Sequence, residues 1–346
     1  MNTLKRSSNI ELLRIVAMLM IVLHHYCVNS GLTEVMVWNN ITPNMILVQF
    51  MSIGGKVGVN IFFLISGYFM INKMSNLRKV IKLLFEILFY NIIIFLFLYY
   101  VEGVEYTKSD LLNCFIPVLF STNTFIASYL FVYLLSPMIN KGIQVLTCKE
   151  FRALLIILLT FYSILGTFFL QNTWHYLGWG VTMYCFGAYI RLYGLKVSRK
   201  MAGVGIVACV AFIWAFQLIC DFGAQYFLGE RLWHKWMYMF TDANKMPVFA
   251  MAVFMFIWFN KIDIGHSRWV NTMAASCFGV LMIHANCWPM RHWLWGTVLD
   301  NVGFYSSAYL WLHMIFATSC IYCVCTLIDM LRIKYIENPL FSRIFK

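Results

Sequence analysis

Long apolar runs recur along almost the whole chain, and they leave it few ways to fold. A hydrocarbon core needs roughly 20 apolar residues per spanning helix. Inside that core only helices and closed barrels satisfy every backbone polar group. Ten runs can be read, at about 10–29, 54–72, 80–101, 124–140, 152–170, 175–193, 201–220, 245–260, 272–290 and 306–330. The second, fourth and eighth are short. The runs predict an all-α, polytopic transmembrane bundle of about ten spanning helices, with residues 1–346 forming one domain. The charged share is 12%, about half that of an ordinary soluble protein. No stretch remains for a soluble catalytic domain, so chemistry is expected within the bundle or at its mouths.

The net charge of +12 does not imply nucleic-acid binding, because the basic residues sit in short segments between the apolar runs. Alternate segments hold nineteen of them against six, with Arg14 set aside as intramembrane. The richer set includes Lys5, Arg6, Lys73, Arg78, Lys79 and Lys82. The poorer set is Lys56, Lys108, Arg231, Lys235, Lys245 and Arg291. Cytoplasmic loops carry the excess of Lys and Arg, so both termini are expected in the cytoplasm and the chain in the cytoplasmic membrane. The first run lacks a small-residue cleavage signal and is expected to be retained. Most of the eleven cysteines lie inside apolar runs, where cysteine acts as a small hydrophobe. Cys320, Cys323 and Cys325 share one helix without a matching ligand cluster, so no metal site or disulfide framework is expected. The aromatic segment at about 221–245 reads as an interfacial belt or as a platform for a sugar ring.

The first run, "NIELLRIVAMLMIVLHHYCVNSG", carries Glu11, Arg14, His24 and His25. A charge at mid-bilayer is costly and usually faces a bundle interior or a wet cavity. Eleven helical steps return to within about 20° of the start, so Arg14 and His25 share a face about 16 Å apart along the axis. His24 is turned about 100° from that face, and Glu11 is within i,i+3 reach of Arg14. Histidine can take a proton from a hydroxyl near neutral pH, and arginine offers a planar fork to phosphate or carboxylate. The alternative is that Arg14 snorkels to the surface and His25 is a packed polar residue.

Further motifs fall in order along the chain: "GVNIFFLISGYFM" at 58–70, the basic cluster Arg78, Lys79 and Lys82, "YLLSPMIN", "FGAYIRLYG", "SCFGVLMIHA" and "IDMLRIKYIENPL". With the arginine–ten–histidine stripe, the chain resembles the membrane acyltransferases of the acyltransferase-3 type, which O-acylate bacterial surface glycans. The resemblance covers essentially the whole length and selects His25 over His24, as the helical period does. Four positions depart from it. Asn60 stands where many relatives have an acidic residue, Thr124 lies where a tryptophan is common, and Lys79 and Lys82 replace an arginine pair.

The resemblance implies a membrane O-acyltransferase, most simply an O-acetyltransferase. Acyl-CoA would serve as cytoplasmic donor substrate, with no permanently bound cofactor. A surface polysaccharide or its lipid-linked precursor would be the acceptor. His25 would be general base or transient acyl carrier, with Asn60 or Ser66 orienting it or serving the oxyanion. Arg14, Arg78, Lys79 and Lys82 would face the anionic coenzyme. Glu11 is expected to tether Arg14, while His284 and Glu86, the latter unpaired by sequence, are pore candidates. Two other classes remain: a transporter or flippase of a lipid-linked sugar, and a non-catalytic subunit of an envelope polysaccharide complex.

Overall fold

The computed structural model describes residues 7–72, 77–116, 124–169, 175–227 and 230–345. Lys5, Arg6, Lys73 and Lys346 lie outside them. Among the described residues every regular element is helical. Seven helices are long and apolar enough to cross a membrane. They are α1 (Ser8–Val28), the near-continuous pair α2 (Pro43–Ser52) and α3 (Gly54–Met70), α4 (Leu77–Tyr100), α6 (Thr124–Gln144, after the short α5, Lys108–Phe115), α7 (Cys148–Phe168), α9 (Arg199–Tyr226) and α14 (Leu310–Ile344). The protein is a multi-pass membrane protein.

All ten runs fall on helices, and the sixth, eighth and ninth fall short of the length or apolarity of a single spanning helix. α8 (Tyr176–Tyr193) is diluted by tyrosine, glycine and Arg191, and ten of its residues are buried against protein. α10 (Met246–Asn260) is short, at 15 residues. The ninth run breaks: Arg268–His284, comprising α11 (Arg268–Ala275) and α12 (Cys277–His284), meets α13 (Trp288–Val298) at 96°. Counting that bent pair as one span gives eight. Two runs are longer than they read. The second extends back to Pro43, where Thr42 caps α2 by accepting from the Met45 amide, and the fourth runs on to Gln144.

Glycines set the packing of the centre, because lipid supplies no hydrophobic drive and close backbone approach must. A Cβ on Gly58 would lie 2.6 Å from the Ala17 carbonyl of α1, and one on Gly55 would strike the His24 ring at 2.2 Å. Gly67 and Gly187 do the same for the α3–α8 crossing, where an added Cβ would lie 1.9 Å from Tyr184 O and 2.1 Å from Leu64 O respectively. α3 is thus clamped between α1 and α8, and Tyr26, Phe63, Trp179 and Tyr184 are buried around it.

The two ends of the bundle can be told apart. At one end Asn9 donates to Phe259 O and Ile262 O, and Lys261 donates to Val197 O. Arg14 and Arg332 line one cavity there, so the start of α1 and the end of α14 lie together. At the other end Asn44 donates to Tyr305 O and Ser307 O. The aromatic segment folds back on α9 at that end, with Trp233 packed over Gly223.

Candidate functional site

Two cavities meet inside the bundle. The larger, about 500 Å³, opens at the Arg14 end and is walled by α1, α4, α6, α12 and α14. The smaller, about 240 Å³, is walled by α1, α3 and the bend between α12 and α13, and contains His24 and His25. Phe125 and Leu281 line both. A single layer of side chains therefore separates the Arg14 end of the stripe from its His25 end.

The histidine is poised by a chain of hydrogen bonds. His284, the last residue of α12 and fully buried, has Nδ1 at 2.6 Å from the Val280 carbonyl one turn back. A carbonyl can only accept, so Nδ1 carries the proton and neutral His284 offers a lone pair at Nε2. His25 Nδ1 lies 3.0 Å from that Nε2 and must donate to it. The remaining nitrogen of His25, Nε2, is then an acceptor on a ring that lines the cavity. The arrangement follows the logic of an orienting partner holding a base in one tautomer, with an imidazole where a carboxylate is more familiar. Trp295, fully buried, stands edge-on to His284 with ring centroids 6.3 Å apart.

His24 departs from expectation. Turned off the stripe on the helix, it nevertheless lines the same cavity, its ring 6.0 Å from that of His25. Its Nδ1 donates to Ser52 O at 2.7 Å, where α2 gives way to α3. The missing Cβ of Gly55 makes room for the ring.

Asn60 is not brought to His25. It is fully buried on α3 and turned towards α8, accepting from Trp179 Nε1 and donating to Ala243 O, each at 2.7 Å. Both ends of its amide are occupied. Val59, its neighbour, lines the cavity instead. Ser66 donates to Phe62 O at 2.9 Å and meets the Tyr129 hydroxyl at 3.1 Å. It supports the wall of the larger cavity without lining it.

The larger cavity holds Arg14, Lys79, Lys82 and Glu86. Glu11 and Arg14 pair at 3.3 Å. Arg78 lies off the cavity, its guanidinium 5.3 Å from the centre of the Phe345 ring. Glu86 is not unpaired: it lies 3.1 Å from Arg332. Arg332, fully buried, also donates through Nε to Asp329 at 2.8 Å and through Nη1 to Glu337 at 2.7 Å. Glu337 in turn pairs with Lys82 at 2.7 Å, and Tyr90 donates to Asp329 at 2.7 Å. Gly279 makes room for Asp329, since a Cβ there would lie 2.2 Å from its Oδ1. A π-helical turn at Ile333–Glu337 swings Glu337 back beneath Arg332, as such turns often do where side chains must converge.

Sequence reasoning treated Arg332 as a loop charge and gave Asp329 and Glu337 no role. The signal was present in "IDMLRIKYIENPL", where Asp329 and Arg332 are three apart and Glu337 five further on, but Glu86, the partner of Arg332, and Lys82, the partner of Glu337, lie about 250 residues away. Arg291 and Lys56, both in the smaller cavity, were likewise read only as loop charges. Among the described residues no group of three or more His, Cys, Asp or Glu is arranged to hold a metal ion.

A family model described as an acyltransferase domain matches residues 7–330. Comparison with curated proteins and with solved structures finds no significant match.

Proposed function

The chain belongs to this acyltransferase family, and on that premise we propose that it moves an acyl group from acyl-CoA to a glycan hydroxyl, with His25 as general base. One observation carries the reading. The Val280–His284–His25 chain leaves a basic nitrogen in a cavity that shares two side chains with a second, cation-lined cavity.

The Arg14 end is the cytoplasmic side, consistent with the charge bias of the loops. The coenzyme's phosphates sit among Arg14, Lys79 and Lys82, where cations are already gathered. The thin pantetheine arm passes between Phe125 and Leu281 and brings the thioester to His25. The acceptor enters the smaller cavity from the other side. His25 Nε2 takes the hydroxyl proton as the oxygen attacks the thioester carbonyl. The tetrahedral intermediate collapses with cleavage of the C–S bond, and the departing thiolate recovers the proton from the imidazolium. His284 holds the imidazole in the basic tautomer and shares the developing charge. Acetyl is the simplest acyl group, and the acceptor is a surface polysaccharide or its lipid-linked precursor.

The test compares O-acyl groups on the surface glycan of strains carrying wild-type protein, a deletion, or His25→Ala at equal membrane level. NMR and mass spectrometry provide the readout, with exposed His292→Ala as control. His24 cannot serve as control because it lines the same cavity. Loss of one acyl group in the deletion and His25→Ala alone is expected. An intact acyl pattern in the deletion, with glycan failing to reach the surface, would replace this reading with that of a transporter.

A further inference from the structure

The smaller cavity has an uncommon charge balance. Arg291 and Lys56 line it together with His24 and His25, and no Asp or Glu does so among the described residues. Arg291 comes to the cavity because the chain turns through 96° after His284, which brings the first turn of α13 back towards the histidines. It is half-buried, yet makes no ion pair among the described residues. Its Nε reaches the Cys287 carbonyl at 3.4 Å and its guanidinium lies 6.0 Å from the centre of the Trp288 ring. Lys56 has only a long contact, 3.8 Å, to Asp242, whose own side chain is 57% exposed. By contrast Arg332 in the larger cavity has three carboxylates within 3.1 Å.

Half-buried cations without close counter-ions are costly to keep in a membrane protein, and they are usually kept for a ligand or a charge pathway. Resting on the acyl-transfer reading, we infer that Arg291 and Lys56 form an anion subsite, so that the acceptor is an acidic one. It presents a carboxylate or a phosphate to this pair while its hydroxyl meets His25. Two sources have that chemistry: the carboxylate of an acidic sugar, and the diphosphate of a lipid-linked precursor. The subsite joins recognition to chemistry. Proton transfer makes an imidazolium at His25, and an anion held in the same cavity offsets that new charge. A neutral acceptor brings nothing to offset it.

The experiment uses the full chain in lipid nanodiscs with acetyl-CoA. Four acceptor probes are compared in two pairs: a glucuronic-acid tetrasaccharide against its carboxyl-reduced glucose counterpart, and a neutral disaccharide on polyprenyl diphosphate against the same disaccharide free. O-acetyl product is counted by mass spectrometry for wild type, Arg291→Gln, Arg291→Lys and Lys56→Gln. A charge-assisted contact predicts a roughly 10- to 100-fold preference in kcat/KM, expressed in KM, for one anionic probe over its neutral partner. The preferred probe identifies the source. In Arg291→Gln the ratio falls towards one, Arg291→Lys recovers part of it, and Lys56→Gln lies between. Equal use of charged and neutral acceptors by wild type overturns the inference. So does an Arg291→Gln protein whose kcat falls by one factor on every probe, which would assign Arg291 to the oxyanion instead. If wild type acylates no probe, the acyl-transfer reading is what has failed. Equilibrium binding of the same probes without donor then decides the subsite: a roughly tenfold weaker affinity of Arg291→Gln for the anionic probe supports it, and equal affinity overturns it.

Discussion

The two cavities both gather basic side chains and hold them in opposite ways. At the Arg14 end every nitrogen-bearing group of Arg332 finds its own carboxylate, and Lys82 shares one of them. At the His25 end Arg291 and Lys56 face two imidazoles without close counter-ions. The first arrangement is a structural solution. A buried arginine with three carboxylates and a tyrosine fixes how α4 and α14 lie against each other. The second is not structural in that sense, because its loss would leave no buried carboxylate without a partner: Asp242, beside Lys56, is exposed. Paired charge holds the bundle, and unpaired charge waits for a ligand.

The contrast can be broken most severely at Arg332. Arg332→Met leaves Glu86 and Asp329 buried without their cation and Glu337 with Lys82 alone, and breaking such a network costs about 3–5 kcal/mol. Thermal unfolding in detergent should show a large drop or no folded protein. Arg291→Met in the same assay should move stability by less than about 1 kcal/mol. Equal losses would erase the distinction.

At the histidines the expected loss is in rate and not in stability. His25→Ala should lower acyl transfer by roughly 10²–10⁴-fold with an unchanged melting temperature, in line with removal of a general base. His284→Leu, which removes only the orienting partner, should cost about 10²-fold or more. Steady-state transfer on purified protein measures both, and a His284→Leu enzyme with full activity would dismiss the tautomer argument.

Smaller still is Gly279→Ala. The added carbon would strike Asp329 and force it away from Arg332, for about 2 kcal/mol of lost stability. The mildest change is Glu337→Gln. It weakens the acidic partner of Lys82 and should tighten acetyl-CoA binding by a factor of about three, on the scale of a partly exposed ion pair. Titration calorimetry with the coenzyme alone would detect it, and weaker binding would mean that Glu337 organises the cations instead of competing for them.

Much of this was legible in the sequence, for definite reasons. The apolar runs located the helices because a bilayer demands length. The 3.6-residue period put Arg14 and His25 on one stripe, and both line the meeting cavities. What the period could not supply was the neighbours. His284 lies 259 residues from His25, so their contact depends on where α12 ends and bends. Asn60 stands at a position the resemblance marks, but a position in a motif does not give the direction of a side chain. The face it presents is decided by the glycine-tight crossing of α3 with α8, which turns it towards Trp179. His24 was set aside by its angle on the helix, but a side chain long enough to reach round Gly55 is not bound by that angle. α8 falls short of the apolarity of the other spans because a helix surrounded by protein need not be apolar on every side.

The thin partition at Phe125 and Leu281 has a consequence of its own. A protein hollowed from both faces is a hazard to the ion gradients a membrane maintains, since water meeting water through it would conduct protons past the histidines. Two apolar side chains, both buried, carry that insulation. Replacing either with a smaller or polar residue would endanger the cell's electrochemical gradient before it altered any acyl group.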